Sequence, residues 1–106
     1  MHEYQLRYLP QFHLDMMHHV EYIANRLKNP QAAGDLIDAT EKAILERLPD
    51  AEAFEPYHSR KDRQYPYYRI YVKNFIVFYV VIPEDRQKVV EIRRFVYAKS
   101  NWRRTI

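Results

Sequence analysis

Residues 68–82 read YRIYVKNFIVFYVVI, that is Tyr68-Arg69-Ile70-Tyr71-Val72, the pair Lys73-Asn74, and then Phe75 to Ile82. Side chains on a strand alternate between its two faces, so the first run sets Tyr68, Ile70 and Val72 on one side. Arg69, Tyr71 and Lys73 fall on the other. Lys73-Asn74 is a turn, with Asn as the residue that tolerates the left-handed backbone of a tight hairpin. Phe75 to Ile82 is apolar on both sides, which predicts a central strand buried on both faces.

Outward from this hairpin, Pro83-Glu84-Asp85-Arg86 turns the chain. Lys88 to Tyr97 (KVVEIRRFVY) is then a last strand. Strict alternation puts Val90, Ile92, Arg94 and Val96 on one side, and Glu91, Arg93, Phe95 and Tyr97 on an open basic-aromatic side. The tail Ala98–Ile106 is a short helix or an extended end. Upstream, residues 49–66 are irregular, with Pro49, Pro56 and Pro66 and the basic stretch from His58 to Arg63. Before them lie two helical patterns. Phe12, Met16, Val20, Ile23 and Leu27 recur at steps of three and four after Pro10, and Ala33, Leu36, Ile37, Thr40, Ala43, Ile44 and Leu48 do so after Pro30. Asn29 is the expected cap and Pro30 the first residue of the second helix. Glu3 to Tyr8 alternates as a short strand. The order is β-α-α-β-β-β, an α+β fold. A twisted, mainly antiparallel sheet carries a helical hairpin on one face, and the other face is partly open.

The chain has 106 residues, one glycine and no cysteine. That length predicts one domain over 1–106. The missing cysteines exclude thiol catalysis, Cys-ligated zinc and a disulfide framework. One glycine excludes a Gly-rich phosphate loop. The opening MHEYQLRYLPQFHL holds no signal-peptide core, and no apolar run is long enough for a bilayer, so a cytoplasmic protein is expected.

Charge is unevenly placed. Residues 1–56 hold five Lys/Arg against ten Asp/Glu, while residues 57–106 hold twelve against four. The basic residues interleave with aromatics, and the asymmetry points the second half at an anion: nucleic acid, an acidic protein segment or a membrane surface. The plainer reading is a solvated basic face. None of the five histidines forms an HExxH pair, and neither a metal site nor a cofactor is expected. Hydrolase and kinase motifs are absent. Metal-free RNA cleavage stays open, since it needs a proton acceptor, a proton donor and cations on the phosphate. Arg69, Lys73, Arg93, Lys99, Tyr71, Tyr97 and His58 are the residues that can supply them. His58 stands beside Tyr57 in the basic loop, where imidazole suits proton transfer or has no role at all.

The order of elements resembles the RelE/ParE toxin superfamily of bacterial type II toxin–antitoxin modules, the plasmid-stabilisation type. The matching stretches are Tyr68–Tyr79 (YRIYVKNFIVFY) and Val90–Lys99 (VEIRRFVYAK), with Tyr8-Leu9-Pro10 and the Asn29-Pro30 junction. The resemblance implies a cytoplasmic, growth-inhibiting toxin held by a co-expressed antitoxin, whose acidic amphipathic segment covers the basic surface. RelE-like members are mRNA interferases that cut mRNA on the ribosome. ParE-like members are DNA gyrase inhibitors. Arg69 falls where ribonuclease members carry a base on the second strand, and Lys99 matches the arginine after the last strand. Tyr71 falls where some members carry a second lysine. Ile76 falls where many have an arginine, and Trp102 is the counterpart of a terminal tyrosine. On the ribonuclease reading Arg69 and Lys99 hold the phosphate, with Tyr71, His58 or Tyr97 near the proton transfers. Nucleic acid or antitoxin would meet Arg60, Lys61, Arg63, Lys73, Arg93, Arg94, Trp102, Arg103 and Arg104. The alternative, kept alive by Ile76, is a binding protein of this fold that has lost toxicity.

Overall fold

The structure is a computed structural model and describes residues 4–58, 61 and 63–106. Strand β1 (Tyr4–Tyr8) leads to helix α1 (Pro10–Glu21), which runs on as a π turn over Tyr22–Arg26. Helix α2 (Pro30–Arg47) ends in a 3-10 turn, Leu48–Asp50. Strands β2 (Tyr68–Val72), β3 (Phe75–Glu84) and β4 (Gln87–Tyr97) come next, and helix α3 (Trp102–Thr105) closes the chain. The sheet order is β1-β4-β3-β2, with β1 parallel to β4 and the other pairs antiparallel. This is the β-α-α-β-β-β order of the sequence, and the two helices lie on one face of the sheet as expected.

Local sequence accounts for the joints. Pro10 and Pro30 stand in the first turns of α1 and α2, where no intrahelical N–H is needed. Asn29 caps α2, its side-chain oxygen accepting from the Ala32 N–H at 3.1 Å. At the end of α1 the π turn lets the Leu27 N–H reach Tyr22 O at 3.1 Å, one residue further back than in an α-helix. That extra residue changes the facing of the helix end. Ile23 keeps its place against the core, but Leu27, expected on the same stripe, is 57% exposed. Lys28, at φ 51, then reverses the chain. The β2–β3 turn also departs from expectation, because the left-handed residue is Lys73 at φ 52 and not Asn74. The β3–β4 turn shrinks to Asp85-Arg86, with Pro83 and Glu84 still in strand.

β3 is buried on both faces over Phe75–Val80. On the helix side Phe75, Val77 and Tyr79 pack with Phe12, Leu36, Ile44, Ile70, Val72 and Phe95. On the far side Ile76, Phe78 and Val80 pack with Tyr67, Val96, Trp102 and Ile106. The far face is therefore not left partly open. The segment before β2 and helix α3 cover it, because a strand apolar on both sides needs two covers. Each such buried side chain contributes about 1.5–3 kcal/mol.

Strict alternation fails in β4. A bulge opposite Phe78/Tyr79 pairs Phe78 with Arg94 and Tyr79 with Ile92, so one residue of β4 is extra. Val90 and Ile92 face the helices, but after the bulge it is Phe95 that does so, while Val96 faces the far side. Alternation alone sets Phe95 with Glu91 and Arg93, and Val96 with Ile92; the extra residue exchanges them.

β1 ends opposite Ile92, which leaves the Phe95 N–H without a strand partner on that side. Asp15 of α1 supplies the acceptor. Its Oδ2 accepts from the Phe95 N–H at 3.0 Å and from Arg94 Nε at 2.8 Å. Burial alone would raise the Asp15 carboxyl. The hydrogen bonds from Arg94, Phe95 and Gln11 outweigh it and hold the group below the usual carboxylate range. A depressed folded pKa contributes stability above the unfolded value of about 3.9, and that stability is lost as pH falls through the folded value. Asp15→Asn is expected to lower stability at neutral pH by about 1–3 kcal/mol and to flatten the acid limb below about pH 4. Thermal melts across that range read both effects. An unchanged acid limb would mean that Asp15 is not the titrating contact.

Candidate functional site

The far face is organised around Phe78, which is fully buried. Three rings surround it. The Tyr67 centroid lies 5.6 Å away, Trp102 5.1 Å and Tyr57 6.2 Å. Tyr57 also meets Trp102 edge-on at 5.4 Å, and its N–H bonds Tyr67 O at 2.6 Å. These contacts lock the segment before β2 and the tail helix onto the sheet.

Each of the three rings carries an arginine. The Arg63 guanidinium lies 4.4 Å from the Tyr67 centroid, Arg103 4.3 Å from Trp102 and Arg69 5.3 Å from Tyr57. Arg69 also stands 6.0 Å from the Tyr71 ring, and Tyr71 is 63% exposed. None of Arg63, Arg69 and Arg103 forms an ion pair among the described residues. Lys73 and Lys99 are exposed at the end of the sheet, where the Ala98 N–H bonds Asn74 O at 2.8 Å and brings their two turns together. Two other arginines of this layer are engaged. Buried Glu91 bonds Arg7 at 2.8 Å and Arg93 at 2.9 Å.

A family model described as the ParE toxin of type II toxin–antitoxin system, parDE, matches residues 6–102. The chain belongs to the ParE toxin family. It is thus a toxin of a type II toxin–antitoxin system, with an antitoxin as partner. Neither the curated proteins nor the solved structures give a match.

In this ParE-family toxin the expected catalytic residues are divided only in part, Arg69 and Tyr71 staying together and Tyr97 leaving them. Arg69 and Tyr71 pair across β2–β3 with Phe78 and Ile76, so they lie on the far face. Tyr97 pairs with Phe75, ring centroids 5.6 Å apart, on the helix side. Lys99 is exposed in the turn after β4. His58 is exposed and has no hydrogen bond or ring contact among the described residues. Ile76, at the position of the superfamily's arginine, is a core residue at 1% exposure. Among the described residues no three His, Asp or Glu side chains gather as metal ligands would.

The expected binding residues also divide. Lys61 Nζ reaches the carbonyls of Arg104 and Thr105 at 3.4 Å, while the Arg104 side chain is exposed. Arg93 and Arg94 are tied to Glu91 and Asp15 inside the fold. Trp102 is 3% exposed and donates its indole N–H to Ala98 O at 3.1 Å, so it serves the core and not a contact surface. Arg60 lies outside the described residues. The sequence reading missed Tyr57 and Tyr67 as supports for arginines. Their signal was the aromatic spacing of an otherwise irregular segment. No helix among the described residues is long and apolar enough to cross a membrane.

Trp102→Ala in the toxin is expected to cost about 3–5 kcal/mol, the loss for a large buried aromatic. Urea unfolding measures it. A cost under about 1 kcal/mol, as for an exposed side chain, would contradict the burial of Trp102.

Proposed function

We propose that this toxin arrests growth by binding and poisoning DNA gyrase, and that it has no active site for RNA cleavage. The observation that carries this reading is that Tyr97, a proton-transfer candidate, stands apart from Arg69 and Tyr71. General acid–base cleavage places proton acceptor, proton donor and cations around one scissile phosphate. Here Tyr97 stands on the helix side of the sheet, opposite Arg69 and Tyr71. The buried Ile76 adds no cation to the far face. Membership in the ParE family supports the same reading. The basic far face then serves as a docking surface, and an acidic antitoxin segment neutralises it by charge complementarity. The toxin acts in the cytoplasm, where gyrase works.

Purified toxin added to gyrase, supercoiled plasmid and ATP tests this. The expected result at micromolar toxin is lost supercoiling together with linear plasmid from trapped cleavage complexes. Full supercoiling without cleavage, combined with a prompt stop in protein synthesis when the toxin is induced alone, would overturn gyrase in favour of ribosome-dependent mRNA cleavage. Normal growth on induction without antitoxin would instead favour the fold's non-toxic form.

A further inference from the structure

We propose that the three ring-held guanidiniums around Phe78 form a cradle for the phosphodiester backbone of nucleic acid. Two features of Arg63, Arg69 and Arg103 carry this. A ring beneath a guanidinium holds the cation through its π face and leaves the in-plane N–H donors unused. A carboxylate partner would consume them, as Glu91 does for Arg93 and Asp15 for Arg94. The three rings also meet on one buried side chain, so the guanidiniums share one side of the sheet. Forked donors at several fixed points suit phosphates repeated along a chain.

The surroundings agree in sign. Arg104 follows Arg103 in α3, and Lys73 and Lys99 sit at the end of the sheet; all three are exposed and none is ion-paired among the described residues. Most carboxylates lie elsewhere. Asp35, Asp38, Glu41 and Glu46 stand along α2 in the helical layer. Tyr71, exposed beside Arg69, offers a stacking surface.

Short fluorescent probes, one a duplex DNA and one a single-stranded RNA, are titrated with purified toxin across a salt series and read by anisotropy. Each phosphate contact contributes about −0.9 to the log–log salt slope on duplex DNA and about −0.7 on a single strand. The triple variant Arg63→Ala, Arg69→Ala, Arg103→Ala is expected to lose about 2 to 3 of that slope, and at least tenfold in affinity at low salt. A charge-matched triple on the helical layer (Arg26→Ala, Lys28→Ala, Lys42→Ala) is expected to keep the wild-type slope. Arg→Lys at the three cradle positions keeps the charge but loses the fork, and should fall between wild type and the alanine triple. The melting temperature and Trp102 emission of each variant report that the fold is kept.

Equal losses from the two alanine triples would overturn the cradle in favour of net charge alone, and so would no binding to either probe at low salt. Binding of the RNA probe only would keep the cradle and count against gyrase as the target. Cradle-dependent binding of duplex DNA without trapped cleavage in the gyrase assay would keep the cradle and overturn the poisoning reading.

Discussion

One strand sets the problem that the rest of the chain solves. From Phe75 to Val80 every side chain of β3 is buried, so the sheet needs an apolar cover on each face. The helical hairpin supplies one cover in the ordinary way, through the stripe of Phe12, Leu36 and Ile44. The second has no long element to draw on. It is assembled from Tyr57, Tyr65, Tyr67, Trp102 and Ile106, taken from an irregular segment and a four-residue helix. Large rings suit this task, because each buries much area for few ordered backbone residues. Tyrosines can also be anchored at the hydroxyl. Tyr79 shows this on the helix side, where its O–H donates to Ala51 O at 2.7 Å and burial pushes its pKa up.

The parts legible in the sequence are those set by neighbouring residues. The Asn29-Pro30 junction, the period of the helices and the unbroken apolar run of β3 are local signals, and the elements obey them. The β4 bulge is not local. It depends on where β1 stops and on Asp15 reaching across from α1, and the two residues lie 80 positions apart. The π turn is likewise unmarked, since Tyr22–Arg26 reads as ordinary helix, yet it takes Leu27 off the core stripe. For the candidate site, alternation along β2 placed Arg69 and Tyr71 correctly on one face. Tyr97 was misplaced because one extra residue in β4 reverses every position beyond it.

Charge respects the same division into layers. Acidic residues gather on α2, while the far layer sorts its cations by partner. Those near a carboxylate are absorbed into the fold, Arg7 and Arg93 on Glu91; on the helix side Asp15 takes Arg94 and Glu52 takes Lys88 in the same way. Glu91 meets two guanidiniums at once, so its buried charge is compensated. Of the cations left facing outward, Arg63, Arg69 and Arg103 are held on rings.

That division ties the surface to the core. Arginine loses close to 2 kcal/mol of rotamer freedom when it is fixed, and a binding partner normally bears that cost. A guanidinium already lying on an immobile ring has lost part of it during folding. Each ring packs on Phe78, which is fully buried. The cover that β3 requires therefore also pre-orders the cations above it. An acidic antitoxin segment that occupied these three forks would compete with a second anion for them. Mutual exclusion of antitoxin and target would then result from shared donors, with no conformational change required.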